Sequence, residues 1–151
     1  MITLYFYGLD QFVVGKLSRE MTPNLASLYE VSEDEINFAA PNDILFHKGV
    51  DQTSWNLLVK VYAPKKLLVL QNEAAEIIMQ MVQGPTIHVA VEFYYYSSDN
   101  RYERINKEYP RFITEDNEVD IDDDYSEDGY VEGEGEDEVY TGDIFVDFKK
   151  K

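Results

Sequence analysis

The sequence contains no cysteine and only two histidines among its 151 residues. The lack of cysteine excludes disulfides and thiolate metal ligands, and the scarcity of histidine argues against a zinc site. No apolar run approaches the roughly 18 residues that a membrane span needs. The first ten residues also lack the basic region and cleavage site of a signal peptide. We therefore expect a soluble cytoplasmic protein without a cofactor.

The negative charge of the chain is concentrated near its carboxyl end, where basic residues are scarce. The net charge is -17, but residues 1–111 hold 14 acidic and 10 basic residues, whereas residues 112–151 hold 16 acidic and 3 basic residues. The acidity therefore belongs to a carboxyl-terminal tail. A negative field disfavours nucleic acid, because phosphate binding needs lysine and arginine to displace counterions. It favours a cationic protein partner.

The first 30 residues show the side-chain pattern of a strand followed by that of a helix. Residues 2–8 alternate apolar and aromatic side chains, which predicts a strand, and Asp10 is a suitable N-cap for a helix after it. The apolar stripe of that helix consists of Val13, Leu17, Met21, Leu25 and Leu28. Pro23 lies inside the stripe and predicts a kink or break near Met21–Thr22.

The same order of elements then repeats. Ser32 and Glu35 have the spacing of a capping box, which predicts one helical turn. The later segments are an extended stretch over 36–49 interrupted at 41–43, a strand over 55–63, a helix over 65–83 and a strand over 86–96. In the strand over 55–63, Trp55 and Leu57 are the first two side chains on the face that is predicted to be buried. No glycine-rich phosphate loop or G-x-S-x-G nucleophile motif occurs.

Two strand–helix–strand units predict an α+β domain over residues 1–111, with a four-stranded mixed sheet and two helices on one face. The side chains predicted for the other face are Tyr5, Tyr7, Leu58, Tyr62, Ala90 and Tyr94. Because two helices cover only one face, these apolar and aromatic side chains predict a closed homo-oligomer.

Five stretches carry a resemblance to a known family: ITLYFYGL, VSEDEINF, WNLLVKVYA, NEAAEIIMQMV and VEFYYYSSDNRYE. Their order and lengths over about residues 1–110 resemble the tautomerase superfamily, which includes macrophage migration inhibitory factor. More narrowly, they resemble a bacterial family of uncharacterised small tautomerase-like proteins. The resemblance implies a homotrimer whose sheets face inward.

The resemblance also implies a catalytic proline directly after the initiator methionine, with its secondary amine shuttling a proton. Ile2 occupies that position, and a bulky second residue should keep Met1 on the chain. We therefore expect a non-catalytic binding or assembly module. The alternative is an isomerase that uses the Met1 amine, or His88, at a subunit interface; Glu92 is expected on the same face as His88.

A basic cluster follows the last predicted strand and consists of Arg101, Arg104, Lys107 and Arg111. It is suited either to holding an anionic substrate or to neutralising the acidic tail, and the second interpretation needs no ligand.

The acidic tail over 112–151 contains a partial calcium-loop pattern. Asp124, Ser126 and Asp128 fit positions one, three and five of an EF-hand loop, and Glu132 adds a carboxylate. Gly135 stands where the bidentate glutamate belongs, so only weak calcium binding by clustered carboxylates is a candidate. Near the end, residues 143–148 alternate in the manner of a short strand, which we expect to dock on a sheet edge.

Overall fold

The computed structural model describes residues 1–113 of the chain. The predicted strand over 143–148 and the candidate metal ligands Asp124, Ser126, Asp128 and Glu132 lie outside these residues. The helices are α1 (Gln11–Tyr29) and α2 (Gln71–Met81). The strands are β1 (Ile2–Tyr7), β2 (Ile36–Ala39), β3 (Phe46–His47), β4 (Val50–Asp51), β5 (Asn56–Pro64) and β6 (His88–Tyr96).

Four strands form a mixed sheet in the order β2-β1-β5-β6. β1 runs parallel to β2 and antiparallel to β5, and β5 runs parallel to β6. Apart from this sheet, β3 and β4 pair as a short antiparallel hairpin. The predicted α+β class and mixed four-stranded sheet are therefore confirmed.

The core lies between the helices and one face of the sheet. Ile2, Leu4 and Phe6 of β1 are at most 1% exposed, and Val59 and Val61 of β5 are buried beside them. The helices supply Val14, Leu17, Met21, Leu25, Ala74 and Ile78 to the same core. The period-two alternation of the strands thus meets the apolar stripe of each helix, as the sequence predicts.

Of the kink or break predicted near Met21–Thr22, the break is wrong, because α1 continues through Pro23 to Tyr29. Met21 and Leu25, on either side of the proline, are fully buried, whereas Pro23 itself lies on the exposed side. Packing of the buried stripe therefore holds the helix together across the missing backbone donor. The N-cap prediction is confirmed, since the Asp10 carboxylate accepts from the backbone N–H of Phe12 at 2.8 Å.

Two other segments differ from their predicted form. The helix predicted over 65–83 begins as a 3₁₀ turn at Lys65–Leu70 before α2 starts. Side chains three residues apart eclipse in a 3₁₀ turn, which turns Leu67 and Leu70 toward the core together. The stretch over 36–49 forms β2 and then enters the β3–β4 hairpin. Trp55 precedes β5 and is 55% exposed, so its placement on the buried side was wrong.

Candidate functional site at the amino terminus and the open sheet face

The register of the sheet places Met1 beside Glu35. Ile2 of β1 is the partner of Ile36 of β2 in a parallel pair, so the residues immediately before them are also neighbours. The Met1 ammonium nitrogen lies 2.7 Å from Glu35 Oε2. Glu35 ends a single 3₁₀ turn, and no side-chain hydrogen bond caps that turn at Ser32. The predicted helical turn is therefore present, but its glutamate binds the amino terminus.

The carboxyl end of β6 also lies close to Met1. β6 is parallel to β5, and β5 is antiparallel to β1, so Tyr96 at the end of β6 lies near the start of β1. The Tyr96 hydroxyl donates a hydrogen bond to the Met1 carbonyl oxygen. Burial raises the pKa of the Tyr96 hydroxyl, while the nearby Arg101 guanidinium opposes that shift. The Met1 residue is thus held by both its amine and its carbonyl.

The segment after β6 adds two arginines to this end of the sheet. Arg111 Nη2 lies 2.6 Å from Glu103 Oε1, and Arg111 Nη1 lies 3.7 Å from Glu35 Oε1. Arg111 Nη2 also lies 3.2 Å from the Met1 sulfur. Arg101 Nη2 lies 3.8 Å from Glu103 Oε2, and its guanidinium stacks 4.9 Å from the centre of the Tyr96 ring. We call Met1, Glu35, Tyr96, Arg101, Glu103 and Arg111 the amino-terminal cluster.

The positive groups around Glu35 in this cluster determine the pKa of its carboxyl group. The hydrogen bond from the Met1 amine lowers the pKa of Glu35, the positive charges of Met1, Arg111 and Arg101 lower it further, and partial burial opposes them. Glu35 is therefore a carboxylate at neutral pH and is unsuited to act as a general acid.

A pocket of about 360 Å³ adjoins the cluster. Its wall includes Met1, Asn37, Arg104, Arg111 and Phe112. Guanidinium and amide groups can donate hydrogen bonds to a small anion, but the Glu103 carboxylate lines the same pocket and already binds Arg111.

The predicted basic cluster is only partly assembled. Arg101 and Arg111 join the amino-terminal cluster and have carboxylate partners there. Arg104 lines the pocket, and Lys107 is exposed. Sequence reasoning missed Glu103 as the shared partner of the two arginines. Its position two residues after Arg101 in an irregular segment gave no periodic signal by which to find it.

The two predicted catalytic candidates do not share a site. His88 begins β6, whereas Tyr96 at its other end contacts Met1. At about 3.3 Å per residue, the strand separates the two ends by roughly 26 Å. The exposed His88 ring meets the Trp55 ring edge-on at 5.9 Å. The Glu92 carboxylate, expected on the face of His88, accepts from the Tyr94 hydroxyl at 2.7 Å.

The sheet face opposite the helices carries a cluster of tyrosines, which we call the open face. The Tyr5 and Tyr62 rings meet edge-on at 5.4 Å, and the Tyr62 and Tyr94 rings stack at 4.9 Å. Tyr7 stacks at 6.5 Å from Tyr5. Tyr62 is 36% and Tyr94 is 40% exposed, so this aromatic surface is open to solvent within residues 1–113.

Neither a metal cluster nor a membrane helix occurs in the described part of the chain. Within residues 1–113, no group of three or more histidine, aspartate or glutamate side chains is placed to hold a metal ion. Over the same residues, no helix is long and apolar enough to cross a membrane.

Solved structures share this arrangement of elements. A domain of unknown function (DUF1904) from Sebaldella termitidis ATCC 33386 matches with a TM-score of 0.61 and 15% identity, covering 68% of this chain and 95% of that chain. A protein of unknown function from Vibrio cholerae O1 matches with a TM-score of 0.58 and 21% identity, covering 68% and 83%. A macrophage migration inhibitory factor homologue from Prochlorococcus marinus matches with a TM-score of 0.54 and 16% identity, covering 68% and 94%.

By its fold the chain resembles the tautomerase superfamily, since it shares the arrangement of elements seen in these structures. The predicted resemblance is therefore confirmed for the fold, and it extends to bacterial proteins of unknown function. At these identities the likeness does not carry an activity. No protein-family model and no curated protein matches the sequence.

Proposed function

We propose that this chain is a non-catalytic assembly module with a tautomerase fold, whose copies associate through the open face into a closed homotrimer. The observation that carries the proposal is the exposed tyrosine cluster on a sheet face that neither helix covers. Contiguous aromatic surface of this kind marks interaction sites, because burying it removes a large apolar area from water.

Two features of the first residues support a role without catalysis. Ile2 is 1% exposed and belongs to the core, where the superfamily resemblance implies a catalytic proline. The Met1 amine is held by Glu35, and its carbonyl is held by Tyr96. The amino terminus therefore serves to fasten the ends of β1, β2 and β6 together.

The acidic tail over 112–151 gives this module a second proposed role. Its balance of 16 acidic to 3 basic residues suits a cationic protein partner and disfavours nucleic acid. Three further statements are predictions of the sequence alone: weak calcium binding by Asp124, Ser126, Asp128 and Glu132, a bacterial source and a cytoplasmic location.

Measuring the mass of the full chain in solution tests the assembly. We expect light scattering after gel filtration to give three times the mass of one chain for the wild type. Tyr62→Lys combined with Tyr94→Lys should give a folded protein of lower mass, because the added charges oppose burial of the face. A matched control is Tyr102→Lys combined with Tyr109→Lys, since these tyrosines are 91% and 69% exposed and lie after β6. A wild-type monomer at about 100 µM contradicts the proposal.

The pocket beside Met1 favours a second candidate function, an isomerase that uses the Met1 amine. Arg104 in its wall would hold an anionic substrate near the amine. A keto–enol assay tests this by comparing the wild type with a variant extended by one residue before Met1. Intact mass first establishes that Met1 is retained. A faster wild-type rate supports the isomerase, whereas equal background rates rule it out.

A further inference from the structure

One lysine lies in the middle of the open face. Lys60 is the central residue of β5, and its register partners are Tyr5 on β1 and Glu92 on β6. Its side chain is half-buried, while Glu92 is exposed. A lysine and a glutamate thus occupy adjacent positions in the aromatic surface that the proposed trimer would bury.

The tyrosines hold these two charges in place. Lys60 Nζ lies 5.3 Å from the centre of the Tyr7 ring and 5.9 Å from the centre of the Tyr94 ring. The Tyr94 hydroxyl donates a hydrogen bond of 2.7 Å to Glu92 Oε2. The lysine therefore rests between two aromatic faces that attract a cation, and one of these rings also binds the neighbouring carboxylate.

We propose that Lys60 and Glu92 form the charged centre of the interface between copies, where they compensate each other and fix how one copy lies on the next. This inference rests on the proposed assembly through the open face. A lysine or glutamate buried in an interface without its counterpart is strongly unfavourable, whereas a paired set is tolerated and restricts the geometry of docking.

The balance of charge identifies a second copy of this chain as the occupant. Lys60 and Glu92 stand side by side with opposite signs, so the centre of the face has no net charge. A polyanion, a membrane surface or a strongly cationic protein would leave one of the two charges opposed by a like charge. A rotated copy of the same face presents both signs and can match both.

The test is a double-substitution cycle on the full chain. The variants are Lys60→Met, Glu92→Gln and their combination, each close in size to the residue it replaces. The matched controls are Lys66→Met and Glu76→Gln, at exposed positions in the 3₁₀ turn and in α2. Sedimentation equilibrium gives the dissociation constant of each assembly, and circular dichroism establishes that each variant is folded.

We expect each single interface substitution to weaken assembly at least about tenfold, which corresponds to about 1.4 kcal/mol. The combined substitution should return to within about threefold of the wild type, because it removes both charges together. The two controls should assemble as the wild type does.

The outcomes separate this inference from the proposed function. A monomeric wild type overturns both. A wild-type assembly with single variants that match the controls leaves the assembly standing and overturns the role of the pair. Single variants that weaken assembly additively, with no recovery in the combined variant, also overturn it, because independent losses show that the two charges do not compensate each other.

Discussion

Replacing Gly8 with alanine should destabilise the fold far more than the same change at Gly15. Gly8 joins β1 to α1 with φ +86°, a left-handed conformation that costs a residue with a Cβ about 1 kcal/mol or more. An added Cβ would lie 2.4 Å from the Asn56 carbonyl oxygen and 2.9 Å from Leu45 Cδ1. The Gly8 carbonyl also accepts from the Ser54 N–H at 2.9 Å, so the turn has little freedom to shift.

These terms together predict a loss on the order of 3 kcal/mol for Gly8→Ala. Gly15 is the matched control, because it lies within α1 and an added Cβ there meets nothing within 4 Å. Alanine at that helical position should stabilise the protein by about 0.5–1 kcal/mol. The two variants therefore separate by roughly 4 kcal/mol, a large part of the 5–15 kcal/mol typical of a folded domain.

Urea unfolding followed by circular dichroism measures both changes, with all proteins at one concentration because assembly contributes to apparent stability. A free energy of unfolding for Gly8→Ala within about 0.5 kcal/mol of the wild type would refute the reasoning. Destabilisation by Gly15→Ala would contradict the second part of the argument, that a methyl group at this position meets no neighbouring atom.

Two further predictions concern charged groups. In the folded state the pKa of Glu35 is lower than its ordinary value of 4.5. The ionised Glu35 therefore stabilises the fold above pH 4.5, and this stabilisation is lost as the pH falls through the lowered pKa. Glu35→Gln should therefore flatten the loss of stability that urea titrations measure as the pH falls below about 5, and an unchanged slope would contradict the ion pair with Met1. Asp10→Ala should cost about 1 kcal/mol in the same titrations by removing the N-cap of α1, while Asp10→Asn should retain most of it; equal losses would contradict the cap.

Most of the fold followed from periodicity in the sequence. The alternation through residues 2–8 and the stripe from Val13 to Leu28 correspond to β1 and α1, because one buried face requires both patterns. The break expected near Pro23 did not occur, because the burial of Met21 and Leu25, which the apolar stripe predicted, outweighs the loss of one backbone donor. The sequence did not predict the 3₁₀ turn at Lys65–Leu70, because the three-residue spacing of Leu67 and Leu70 also fits an α-helix.

The candidate site was less predictable than the fold. Met1, Arg101 and Arg111 were singled out by residue type, but their meeting point depends on the register of β1 with β2 and on where β6 ends. Those pairings join residues more than 30 positions apart. They bring Met1 to Arg111, which is 110 positions away, and no local pattern records that contact. Glu35 was recognised only as a cap, because its role depends on the neighbour that the sheet gives it.

The central position of β1 has a consequence for synthesis on the ribosome. β1 is translated well before its antiparallel neighbour β5, which begins only at Asn56. One side of the nascent strand therefore awaits a partner while some fifty later residues are translated, and contacts of such wide separation form slowly. During that interval the backbone hydrogen-bonding groups along one edge of β1 have no strand to pair with.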